Sequence, residues 1–135
     1  MTKRGKLDLK EYLFDDRQRR LFMELNSSLF IHFLERLSGI EGLMPDPFFA
    51  EGGYTMSRTG GTLNIHADFS HHDKTGLERR LNVLIYLNDD WKDEFGGCLT
   101  LYDPSLKPIK EISPSGNRLL VFQQAIKAFM GSRRP

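Results

Sequence analysis

Histidine is scarce in this chain: there are four, His32, His66, His71 and His72, and none follows residue 72. The 63 residues after His72 therefore have no imidazole to offer a site. Cysteine is scarcer still, with Cys98 alone, which excludes an internal disulfide framework and leads to the expectation of a reducing, cytoplasmic setting. Charge of one sign is also missing, since 19 Lys and Arg against 18 Asp and Glu leave a net +1. Strong electrostatic recognition of nucleic acid or of acidic ligands is not implied. Long apolar runs are absent too. No segment approaches the roughly 20 residues that span a bilayer, and no apolar run of signal-peptide type follows the charged stretch Met1–Lys10. Neither a nucleic-acid nor a membrane partner is expected. What remains is 135 residues, enough for one domain with a real core and small for an enzyme with a deep pocket.

Residues 1–14 are charged and irregular in pattern and read as a leader that packs late or stays loose. From Asp15 to about residue 40 the period becomes helical: Phe22, Leu25, Leu29 and Phe33 follow one stripe, with Phe30, Leu34 and Leu37 beside it. That stripe reads as a core face. Asn26-Ser27-Ser28 divides the stretch into two helices with a Ser cap on the second, and Gly39 supplies the stop. Met44-Pro45-Asp46-Pro47 is a turn-rich connector, and from residue 48 onward strands and turns dominate. Tyr54–Arg58, Leu81–Asn88, Cys98–Tyr102 and Arg118–Phe122 read as strands, with Asn82, Leu84, Tyr86 and Asn88 on one face of the second. Trp91 is a natural anchor after the Asn88-Asp89-Asp90 turn. Short strands after a helical preface give an α+β chain whose sheet part, 48–122, is a barrel or jelly roll.

The chemistry lies just after Gly60-Gly61. Thr62-Leu63-Asn64-Ile65-His66-Ala67-Asp68 alternates polar and apolar, the period of a half-buried strand, so Thr62, Asn64, His66 and Asp68 share a face. An imidazole and a carboxylate then converge on one point. With a second histidine they would make the two-His, one-carboxylate triad that leaves open positions on non-haem Fe(II). Taken alone, His-x-Asp is a weak signal, and the same pair reads first as a hydrogen-bonded His and Asp on a strand.

Five blocks in a fixed order carry a resemblance. Met44-Pro45-Asp46-Pro47, Gly60-Gly61, His66-Ala67-Asp68-Phe69, Arg79-Arg80-Leu81-Asn82-Val83-Leu84-Ile85-Tyr86-Leu87-Asn88, then Trp91 with Gly96-Gly97-Cys98-Leu99-Thr100-Leu101-Tyr102-Asp103, are followed by Pro114 and Asn117–Phe122. Residues 39–122 resemble the prolyl 4-hydroxylase type of the 2-oxoglutarate- and Fe(II)-dependent dioxygenases. The resemblance implies a double-stranded β-helix, cupin-like in form. It implies His66 and Asp68 as catalytic metal ligands, Fe(II) as cofactor, and 2-oxoglutarate and dioxygen as co-substrates. Ascorbate is a candidate accessory reductant. Tyr86 falls where the family often places a hydroxyl that reaches 2-oxoglutarate, and a barrel-core tyrosine is the equal alternative. The implied reaction hydroxylates a prolyl residue or another unactivated carbon; the substrate, protein or small molecule, is not named by the sequence.

Departure from the pattern begins after Phe122. The family's distal histidine, and the basic residue beyond it that pairs with the far carboxylate of 2-oxoglutarate, have no counterpart in 123–135. Back-translation one nucleotide earlier permits a His-Gly-x-Pro segment, with the His codon straddling Phe129 and Met130. The expectation is therefore an incomplete β-helix with a frameshifted, aberrant tail, and little activity in this polypeptide. Two other readings stand beside it: a catalytically dead β-roll acting as a binding module, and a zinc site built from His66, Asp68 and either His71 or His72.

Overall fold

The computed structural model describes residues 4–9, 11–49, 52–123 and 129–132. They fall into two compact units, Leu7–Met56 and Ser57–Pro135 with the first six residues.

In the first unit, α1 (Asp16–Leu25) starts where Asp15 accepts the Gln18 backbone N–H at 2.8 Å and Gln18 returns the bond to the Asp15 N–H at 3.0 Å. Two orphan donors of the first turn are thereby satisfied. The chain breaks at Asn26, as its sequence indicates, and the Ser27 hydroxyl accepts the Phe30 N–H to open α2 (Ser28–Ser38). Gly39, at φ 71, closes it in the left-handed region. The apolar stripe is only partly a core face. Leu34 is buried and Phe22 joins Phe14, Phe49 and Tyr54 in a cluster of tilted and edge-on rings, but Leu29, Phe33 and Leu37 are 81%, 45% and 57% exposed. Periodicity marks a face without saying what covers it. Among the described residues of the leader, Arg4–Leu9 forms β1, paired with β2 (Tyr54–Thr62). The Thr55 hydroxyl donates to Asp8 at 2.8 Å, and the backbones approach so closely that a Cβ on Gly53 would sit 2.9 Å from the Leu9 carbonyl oxygen.

In the second unit the strands form two sheets. β3 (Leu81–Tyr86) pairs antiparallel with β6 (Arg118–Gln123), while β4 (Leu99–Tyr102) lies between β5 (Pro108–Ile112) and β7 (Phe129–Ser132). Register places Asn82 opposite Phe122, Leu84 opposite Leu120 and Tyr86 opposite Arg118. Those residues share one face, and from it Tyr86, Leu120 and Phe122 pack against Leu99 and Ile112 of the other sheet. β5 has no counterpart in the sequence reading, because only Ile109 and Ile112 are apolar there and Ile109 is 67% exposed. Trp91 is half-buried, edge-on to Phe95 at 5.6 Å and beneath Gly97.

The strand read over Thr62–Asp68 does not form. β2 instead runs on through Gly60-Gly61 and ends at Thr62; beyond it the backbone returns to a ladder only at His66, an isolated bridge residue. Alternation needs a partner strand to become a strand, and Ile65, meant for the apolar face, is 46% exposed.

Candidate metal centre

Departure from regular strand does not separate the two donors. His66 and Asp68 are half-buried while Ala67 between them is exposed, so the alternation survives at the three residues that matter. His66 Nδ1 lies 2.8 Å from the Asn64 carbonyl oxygen. A carbonyl only accepts, so Nδ1 carries the proton and donates it there, leaving the Nε2 lone pair outward. Nε2 in turn lies 3.5 Å from Asp68 Oδ1. At that distance the pair serves equally as an imidazolium–carboxylate ion pair and as two donors turned toward one cation. Neighbouring donors on one metal, each about 2.1 Å from it, would stand roughly 3 Å apart. The residues present thus fit two adjacent positions of an Fe(II) site.

A third group flanks the pair. Arg79 Nη2 is 3.7 Å from Asp68 Oδ2, the oxygen not turned to His66. Sequence reasoning placed Arg79 in a matching block and gave it no role. The turn signal Asp73-Lys74-Thr75-Gly76 was available, since it folds the chain back toward Asp68.

The remaining candidates lie elsewhere. His71 Nδ1 is 2.9 Å from the Ser70 hydroxyl, and His72 Nδ1 accepts the backbone N–H groups of Lys74 and Thr75 at 3.2 Å. Both nitrogens serve the local turn. Among the described residues no three His, Cys, Asp or Glu gather as a metal set, so the zinc site with His71 or His72 is not assembled. Tyr86 sits on the inner face of β3 against Leu99 and Ile112. Burial pushes its phenol pKa up, Arg118 opposite pulls it back in part, and Cys98 adds to the rise. That placement suits both a cavity-lining and a core tyrosine. In the tail, 124–128 and 133–135 lie outside the described residues, and β7 puts position 130 opposite Leu101. Among the described residues no helix is long and apolar enough to cross a membrane.

The chain matches the model of the 2OG-Fe(II) oxygenase superfamily over residues 52–128, more than half its length, and it belongs to that superfamily of oxidoreductases. The match runs past Phe122, where the sequence pattern was read as ending. The chain is similar to a solved structure described as a prolyl 4-hydroxylase from Phytophthora capsici, with a TM-score of 0.54 and 20% identity. That likeness is one of fold. It covers 96% of this chain but only 43% of the other, so the chain spans less than half of that protein's length. No curated protein sequence matches.

Proposed function

We propose that the chain carries the metal-binding β-roll of an Fe(II)- and 2-oxoglutarate-dependent hydroxylase of the prolyl 4-hydroxylase type. Its sheets are read as part of a double-stranded β-helix. His66 and Asp68 are two protein donors to the iron, and Tyr86 reaches the 2-oxoglutarate. The observation that carries this reading is the 3.5 Å approach of His66 Nε2 to Asp68 Oδ1 with Nδ1 committed to the Asn64 carbonyl. When bound, iron supplies open positions for the keto acid and dioxygen. The chain's own residues orient: the Asn64 carbonyl fixes the imidazole, and Leu99 and Ile112 pack against Tyr86 on the inner face of β3. The substrate class is a prolyl residue or another unactivated carbon, in keeping with the description of the similar structure. Ascorbate is proposed as the accessory reductant, and the cytoplasm as the setting, on the single cysteine.

Titration with Fe(II), with and without 2-oxoglutarate, tests the reading. A ternary complex lost in both H66A and D68A is expected, and a complex indifferent to both substitutions overturns it. Two donors hold a metal weakly when nothing else fixes their geometry. The 135-residue polypeptide is accordingly expected to form little succinate, and robust substrate-dependent succinate formation would contradict that. One observation favours a second reading, a binding module without turnover: no third ligating side chain joins the pair among the described residues. Absence of any 2-oxoglutarate-dependent metal complex is its signature.

A further inference from the structure

We infer that Arg79 is the positioning residue of the metal centre: its guanidinium holds the Oδ2 side of Asp68 and leaves Oδ1 turned toward His66 Nε2. The inference rests on the reading of His66 and Asp68 as donors. A carboxylate on one short side chain has two equivalent oxygens and rotates freely unless a neighbour distinguishes them. Here the neighbours do. Oδ1 faces the imidazole at 3.5 Å and Oδ2 faces the guanidinium at 3.7 Å. The Arg79 and Asp68 side chains are 27% and 20% exposed, so their attraction is screened less than that of a surface pair. At 3.7 Å the contact is an ion pair longer than a hydrogen bond, acting through charge and placement.

The backbone explains why Arg79 is delivered to that spot. Residues 70–79 form a small hairpin in which the Arg79 N–H donates to the Ser70 carbonyl at 2.8 Å, His71 bridges Glu78, and the His72 N–H donates to Leu77 at 2.9 Å. Gly76, at φ 68, closes the turn with a 2.8 Å bond to the His72 carbonyl. The His72 ring accepts two further N–H groups of the same turn. Ser70 is two residues past Asp68, so locking it opposite Arg79 sets the guanidinium beside the carboxylate. Arg80, the next residue, is exposed.

Calorimetric titration of the whole chain with Co(II) tests this. R79Q is expected to weaken Co(II) binding about 10-fold, the scale of losing an outer-shell partner, and R79K, which keeps the charge without the planar fork, to recover part of the loss. In a D68N background the R79Q effect should vanish, because the guanidinium acts only through that carboxylate. Unchanged or tighter binding by R79Q, as simple repulsion between two cations would give, overturns the inference; so does an R79Q effect of full size in D68N. Should R79Q not fold, R79K decides, and wild-type affinity in R79K counts against the fork. A wild-type chain that takes up no Co(II) sinks the donor reading itself, and this inference with it; binding lost in H66A but equal in R79Q sinks only the role of Arg79.

Discussion

Tyr86 is a phenol held against Leu99 and Ile112, and the largest influence on its titration is that burial, which raises its pKa above the usual value. Arg118 opposes the rise, and Cys98 adds slightly to it. A folded-state pKa above the unfolded one means that the neutral phenol stabilises the fold in full below about pH 10. That contribution is lost as pH climbs through the raised folded value. Tyr54 is shifted in the same direction, by burial first and then by Asp15. Thermal melts between neutral pH and strong alkali should therefore show a decline that sets in only above the ordinary tyrosine range, and Y86F should blunt it. An identical alkaline decline in Y86F would remove Tyr86 from the buried face. Cys98 behaves alike: burial first, then Glu111, raise its thiol pKa. The thiolate is the nucleophile, so alkylation of the native chain at pH 8 is expected to run slower than in urea. Equal rates would show an open thiol.

Elements show what the sequence could and could not disclose. Both helices, their break and the Gly39 stop were readable because caps are local chemistry: a side chain satisfies an N–H three residues away. Two glycines separate local from distant causes. At Gly39 an added Cβ meets nothing, so G39A should cost only the left-handed backbone penalty, about 1–2 kcal/mol. At Gly116 the added Cβ would collide with the Asn88 carbonyl, where the chain crosses as an isolated parallel bridge between Asn88 and Ser115. The Asn88 side chain also ties that crossing to the Pro114 carbonyl at 2.6 Å. G116A should then destabilise clearly more than G39A in urea melts, and the reverse order would refute the crossing. Nothing in the pattern around Gly116 announced Asn88 as its neighbour. The same limit explains the misread strand at Thr62–Asp68 and the missed β5, since pairing partners are remote in sequence.

On the scale of the whole molecule, the order of motifs disclosed the superfamily, and the spacing of His66 and Asp68 brought their side chains within 3.5 Å; the Arg79 contact required the hairpin to be seen folded. Apolar surface is the other feature that only coordinates reveal. Phe69, Ile109 and Leu87 are 71%, 67% and 59% exposed, and Leu29, Phe33 and Leu37 of α2 are exposed as well. Surface of that kind attracts partners or aggregates. The chain is expected to raise the fluorescence of an apolar dye under native conditions and to lose solubility with concentration. A dye signal no higher than that of a compact monomer would show these side chains covered.

The proton on the imidazole of His66 is fixed by a main-chain oxygen, and this carries an evolutionary corollary. No mutation of the side chain at position 64 deletes that acceptor, so N64A should keep the tautomer and the metal affinity of the parent. The orientation of the imidazole is inherited from the bend of the polypeptide itself, and drift at that position leaves it intact.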